Sequence, residues 1–110
     1  MANLLTDKKA AAAFKTIVTT LGRDDVSDIL SNWNDYELSE DGAKIYGYVG
    51  RDREYSHGAD GGKKLVKKKE FIEWLLSGGP FDEKVYGADI RNDTEWVAKI
   101  MGARKASGFP

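Results

Sequence analysis

The chain has 110 residues, which suits one domain and is too short for two independent hydrophobic cores. A hydrophobic fraction of 41% can build a core, and a formal net charge of −1 argues against both disorder and a nucleic-acid-binding surface over the whole molecule. The absence of cysteine excludes disulfides, a thiolate nucleophile and a cysteine-ligated zinc site. We expect a single cytoplasmic domain spanning residues 1–110, with no signal peptide and no membrane-spanning segment.

Two amphipathic helices are predicted over the first third of the chain, arranged as a helical hairpin. Thr6 is a good N-cap for the first helix, and Gly22 is a fitting stop. The β-branched run at residues 16–20 favours a strand, so a strand over residues 15–21 stays an alternative. Asp24 or Asp25 can cap the second helix, whose apolar face has helical spacing and consists of Val26, Ile29, Leu30 and Trp33.

A β-hairpin is predicted next, and its turn contains Asp41-Gly42. The second strand covers residues 43–50, where alternation places Lys44, Tyr46 and Tyr48 on one face and Ile45 and Gly47 on the other. After a polar loop at residues 51–62, a further strand is predicted to pass through Leu65-Val66. These elements predict an α+β fold with a sheet of two to four antiparallel strands.

Two further helices and a short strand at Val85-Tyr86 complete the prediction. One helix covers residues 70–77 and ends at Gly78-Gly79-Pro80. The other begins at a capping box of Asn92 and Glu95, and residues 106–110 form a loose tail. The apolar face of this last helix consists of Trp96, Val97, Ile100 and Met101. In an alternative ferredoxin-like βαββαβ arrangement with a C-terminal helix, residues 15–21 form the first strand and residues 83–90 the last.

Charge is distributed unevenly along the chain. Residues 1–42 carry four basic and eight acidic side chains, residues 43–69 carry eight and three, and residues 70–110 carry five and seven. Five lysines stand just before a predicted helix, where positive charge opposes the helix dipole: Lys63, Lys64, Lys67, Lys68 and Lys69. This cluster indicates a partner with negative charge, either an acidic protein surface or nucleic acid.

The segment Lys44-Ile45-Tyr46-Gly47-Tyr48-Val49-Gly50-Arg51 resembles the aromatic strand motif of RNA-recognition domains. Four of its positions fit, with Tyr48 as a conservative substitute, and the resemblance covers these eight residues. It implies that Tyr46 and Tyr48 stack on bases. The alternative is that the two tyrosines pack against a helix from a half-exposed strand.

The sequence offers no convincing catalytic constellation. The glycine-rich segment from Gly58 to Lys64 has three residues between its first and last glycine where a phosphate-binding loop has four, and Lys64 replaces the required hydroxyl. His57, the single histidine, stands in the same loop, which is a poor scaffold for precise geometry. We therefore predict a protein that is not an enzyme, with no cofactor and no bound metal.

The leading hypothesis is a regulatory protein that binds another protein. It would be a small adaptor or inhibitor, of the kind that viruses and mobile elements encode. A single-stranded RNA- or DNA-binding module is the alternative, and a small enzyme comes third. Nothing in the sequence indicates a homo-oligomer. The predicted binding residues are Lys44, Tyr46, Tyr48, Arg51, Arg53, Tyr55, Lys63, Lys64, Lys67, Lys68 and Lys69.

Overall fold

A computed structural model describes residues 5–48, 63–82, 84 and 93–109. Within these ranges the chain forms four α-helices and a three-stranded antiparallel sheet, which confirms the predicted α+β class. The predicted loop at residues 51–62 and the predicted strand at Val85-Tyr86 lie outside the described residues.

Helix α1 (Asp7–Leu21) has the predicted boundaries. The Thr6 hydroxyl accepts a hydrogen bond from the Lys9 N–H at 3.1 Å, and Gly22, at φ 94°, ends the helix. The alternative of a strand over residues 15–21 is wrong, and so is the ferredoxin-like arrangement that needs it. The β-branched residues fit a helix here because Ile17 is buried in the core, while the hydroxyls of Thr16 and Thr19 donate to carbonyls four residues earlier.

Helix α2 (Arg23–Ile29) begins directly after Gly22, so a cap at Asp24 or Asp25 is wrong. Both aspartates lie in the first turn instead, where the helix dipole favours negative charge. A π-helical turn (Leu30–Asn34) extends α2, and the chain leaves it at Asp35 with φ 57°. Helices α1 and α2 contact each other, and their arrangement as an antiparallel hairpin stays a prediction.

The sheet contains β1 (Glu37–Leu38), β2 (Ile45–Tyr48) and β3 (Lys63–Val66) in that order. The predicted hairpin is confirmed: β1 pairs antiparallel with β2, and β2 pairs antiparallel with β3. The turn between β1 and β2 is held by Ser39, whose hydroxyl oxygen accepts hydrogen bonds from the N–H groups of Ala43 and Lys44.

Helix α3 (Lys68–Leu76) begins two residues earlier than predicted, and a 3-10 turn (Gly79–Phe81) follows it. Helix α4 (Thr94–Ser107) is capped by the Asp93 carboxylate, which accepts from the Trp96 N–H at 3.2 Å. The predicted cap at Asn92 is therefore displaced by one residue.

The end of the chain differs from the predicted loose tail over residues 106–110. Helix α4 continues through Ala106 to Ser107, and Phe109 packs against the core.

The core lies where α1 contacts α3 and α4 and where the inner face of the sheet meets the helices. Phe14 of α1 and Phe71 of α3 meet edge to face at a centroid distance of 5.6 Å, and both are buried. Ile100 and Ala103 are the buried hydrophobic residues of α4, whereas Met101, predicted to face the core, is 49% exposed. No helix within the described ranges is long and apolar enough to cross a membrane.

Candidate functional site

The outer face of the sheet carries the tyrosine of the predicted binding strand. Ile45 and Gly47 are buried, and strand alternation turns the intervening Tyr46 to the opposite face. The register places Glu37, Tyr46 and Leu65 side by side across the three strands. Tyr46 is half-buried in this row, and Leu65 is 64% exposed. An aromatic and an aliphatic side chain thus share the middle of this face, which we call the outer sheet face.

Charged side chains surround this apolar centre. The Lys63 ammonium lies 3.1 Å from the Glu37 carboxylate, so this ion pair reaches across β2. At the other end of the strands, Lys44 and Lys67 are exposed. A solvent-exposed ion pair such as Lys63–Glu37 contributes about 0.2–1 kcal/mol to stability, so both charges remain available to a partner.

Gly47, a position of the tyrosine-rich motif, has a packing role. A β-carbon at this residue would lie 3.0 Å from Val66 Cγ2 and 3.6 Å from the Tyr36 ring. The missing side chain therefore lets Tyr36 approach the inner side of the sheet, and from there the Tyr36 hydroxyl donates to Glu70 at 3.3 Å. This contact connects the middle of the sheet to the first turn of α3.

A groove runs between α1 and the β1–β2 turn and continues to the start of α3. It has two compartments of about 550 and 340 Å³, which share Ala11, Ala43 and Lys68. Ala11 and Val18 of α1 are half-buried in it, with the buried Phe14 beneath them. We call this the α1 groove, and five of its lining residues are lysines: Lys15, Lys44, Lys67, Lys68 and Lys69.

The outer sheet face and the α1 groove are adjacent. Leu65, Lys44 and Lys67 line the smaller compartment of the groove and also belong to the strands of the sheet or their ends. An occupant of the groove would therefore reach the exposed leucine of the sheet without a break in the surface.

Two carboxylates lie among these lysines. Asp7 is 3.9 Å from the Lys67 ammonium. At Asp41, a hydrogen bond from the Ser39 hydroxyl at 2.6 Å lowers the pKa of the carboxyl, with further help from the Ala43 N–H and the charge of Lys44. Asp41 is therefore ionised at neutral pH and is used to organise the turn.

The structure brings part of the predicted site together. Lys44, Tyr46, Lys63 and Lys67 meet at the outer sheet face, while Lys68 and Lys69 belong to the α1 groove. Lys64 is exposed and is paired with Gly47, so its position belongs to the opposite side of the sheet. Tyr48 is the last residue of β2. Three predicted residues lie outside the described part of the chain: Arg51, Arg53 and Tyr55.

Sequence reasoning missed two residues of this surface. The predicted strand through Leu65-Val66 assigns neither residue to a face, because both are apolar; the burial of Val66 in the structure places Leu65 on the outer face. Lys15 was overlooked because it is 29 residues or more from the lysines with which it shares the groove.

One other polar cluster, around Lys99, is already occupied by internal ion pairs. The Lys99 ammonium lies 3.5–3.9 Å from the carboxylates of Asp25, Asp28 and Glu95, so a lysine takes the position that a bound cation would need. In the described ranges, no group of three potential ligands is arranged to hold a metal.

A separate groove, of about 760 Å³, lies beside the end of α3 and has Asp82 as its one carboxylate among the described lining residues. Its Arg104 donates to the Leu75 carbonyl at 2.9 Å and stands over the Phe81 ring. A paired acid and base therefore cannot be assigned to the described lining of this groove.

Comparison of the chain with family models, curated proteins and solved structures finds no significant match. Its function has to be inferred from the geometry of the candidate site.

Proposed function

We propose that this chain is a non-catalytic, cytoplasmic protein that regulates or adapts another protein by binding it through the outer sheet face. Cytoplasmic placement agrees with the absence of cysteine. The predicted binding residues at positions 51–55 lie outside the described residues, and their part in binding stays a prediction.

The exposure of Leu65 is the observation that carries this proposal. Leu65 and Met101 are the two exposed large hydrophobic residues within the described ranges, and Leu65 is the more exposed at 64%. It lies beside Tyr46 and is surrounded by lysines, so an apolar centre has a charged rim. Protein interfaces concentrate their binding energy in such a centre, while the rim excludes water and sets the partner's charge.

The contribution of Leu65 can be estimated from its exposure. Complete burial of a leucine side chain contributes about 1.5–3 kcal/mol, and roughly two-thirds of Leu65 remains to be buried by a partner. Its removal should therefore cost about 1–2 kcal/mol of binding, which is roughly a five- to thirtyfold loss of affinity.

The test compares Leu65→Ser with Met101→Ser, a matched change at an exposed residue of α4. The immobilised full chain is used to recover a partner from host extract, and the partner is then purified and titrated against the parent and both variants. We expect the stated loss with Leu65→Ser and less than a twofold change with Met101→Ser. Equal affinities of the two variants, or the absence of any protein that binds the purified parent, would refute the proposal.

The outward direction of Tyr46 favours single-stranded nucleic acid as the second candidate. A ring on an open sheet face next to lysines can stack on a base while the ammonium groups contact phosphates. Labelled RNA and DNA oligonucleotides should then bind the parent, and their affinity should fall steeply as the salt concentration rises. Tyr46→Ala should reduce the binding free energy by about 1–3 kcal/mol. In this case Leu65→Ser should change the affinity for the oligonucleotides little. Absence of oligonucleotide binding at low salt would eliminate nucleic acid as a candidate.

A further inference from the structure

We infer that the α1 groove receives an acidic peptide segment of the protein partner, with one large apolar side chain of that segment over Ala11 and Val18. The inference rests on the proposed function, because it assigns the chemistry of the partner that also covers Leu65. It adds a second contact region, formed by helices rather than by the sheet.

The lining of the groove has an excess of positive charge. Five lysines face two aspartates, and both aspartates already have partners: Asp7 lies 3.9 Å from Lys67, and Asp41 accepts from Ser39 and Ala43. Within the described part of the chain, no carboxylate lies within 4.0 Å of Lys15, Lys44 or Lys68. A partner with several carboxylates would complement this excess.

The start of α3 also favours a negatively charged partner. Lys67 is the N-cap residue of α3, Lys68 and Lys69 precede the acidic Glu70 in its first turn, and no side chain caps the helix. Positive charge at this end opposes the helix dipole, and the Lys69 ammonium lies 3.8 Å from the Glu73 carboxylate, a weak contact. Carboxylates bound beside these lysines would remove an unfavourable arrangement that the isolated chain retains.

The apolar part of the groove favours a peptide over nucleic acid. Ala11 and Ala12 have small side chains, which leave room above Phe14 in the larger compartment of about 550 Å³. Phe14 is 1% exposed, so the described lining offers no open aromatic ring on which a base could stack. An aliphatic or aromatic side chain flanked by carboxylates matches both the lysines and the apolar surface between them.

The inference can be tested with short fluorescein-labelled peptides in which Glu and Asp surround one Leu. Matched peptides carry Ser in place of this Leu, or Lys in place of the acids, and labelled oligo-dT and oligo-U are included. Binding to the full chain is measured by fluorescence anisotropy at low and at moderate salt. We expect the acidic Leu peptide to bind more tightly than every other probe.

Variants then locate the binding. Lys15→Glu and Lys68→Glu reverse single charges of the groove, and each should lower the affinity about tenfold at low salt. Ala11→Phe fills the place shared by both compartments without changing charge, and it should also lower the affinity about tenfold. Lys105→Glu and Ala98→Phe make the same changes at exposed residues of α4 and should leave the affinity within about twofold. Circular dichroism identifies any variant that is unfolded, and the two lysine variants alone decide the question if Ala11→Phe is unfolded.

The outcomes separate this inference from the proposed function. If the peptide does not bind, or binds equally to the groove variants and their controls, the inference is wrong. If Leu65→Ser abolishes binding of the natural partner while the groove variants retain it, the inference fails and the proposed function stands. If the oligonucleotides bind in the groove in place of the peptide, both are overturned in favour of nucleic acid.

Discussion

Replacing Gly42 with alanine should destabilise the fold at the turn that forms one wall of the α1 groove. Gly42 has φ 74°, a left-handed conformation that other residues adopt at a cost. A β-carbon on Gly42 would lie 3.2 Å from Cγ1 of Val18, so the Val18 side chain would have to shift to make room for it.

Two terms set the size of this effect. The left-handed conformation costs an alanine about 1–2 kcal/mol. The contact with Val18 adds a part of the roughly 1–3 kcal/mol that overpacking costs, because Val18 is half-buried and must shift to relieve it. We expect a total loss of about 2–3 kcal/mol in the free energy of unfolding.

Gly102→Ala provides the control, with the same chemical change and the opposite expected sign. Gly102 lies inside α4, and nothing lies within 4 Å of the position that its β-carbon would take. Alanine there should stabilise the helix by about 0.5–1 kcal/mol.

Urea unfolding, followed by fluorescence of the three tryptophans and by circular dichroism, measures both variants against the parent. Equal stability of Gly42→Ala and the parent, or a change of stability in the same direction for both variants, would contradict the two costs assigned to a side chain at Gly42.

Three further changes test the core, a helix cap and the turn. Phe71→Ala removes a fully buried ring and should cost about 3–5 kcal/mol in urea unfolding; a loss below about 1 kcal/mol would contradict the assigned core. Asp93→Ala removes the acceptor for the Trp96 N–H and should cost about 1 kcal/mol, whereas Asp93→Asn, which keeps an acceptor oxygen, should cost less. Asp41 has a folded pKa below its ordinary value of 3.8, so it contributes stability above the unfolded pKa that is lost as the pH falls through the folded one. Asp41→Asn should flatten the pH dependence of stability in this acid range; a carboxyl resonance of Asp41 that titrates at or above 3.8 in NMR would show that the hydrogen bond from Ser39 does not favour the ionised form.

Local chemistry was enough to predict several elements from the sequence alone. Thr6 and Gly22 delimit α1 because a cap and a stop act within one helical turn. Asp41-Gly42 predicted the hairpin turn, and alternation along β2 predicted that Tyr46 would face away from Ile45. These features depend on residues that are a few positions apart, so they can be predicted before the packing of the helices and the sheet is known.

Other features were decided by contacts between distant residues. The buried position of Ile17 and the packing of α1 against α3 and α4 settled residues 15–21 as helix against their β-branched composition. The exposure of Met101 depends on which side of α4 meets the core, and its apolar spacing alone did not fix that side. The α1 groove unites Lys15 with lysines of the β1–β2 turn, of the β3–α3 junction and of the first turn of α3, and the pairing of β3 with β2 places Leu65 beside Tyr46. Both arrangements come from the packing of the sheet on the helices. The order of residues therefore accounts for a basic, tyrosine-bearing segment, whereas the packing of the sheet on the helices puts an exposed leucine at its centre, next to a lysine-lined groove.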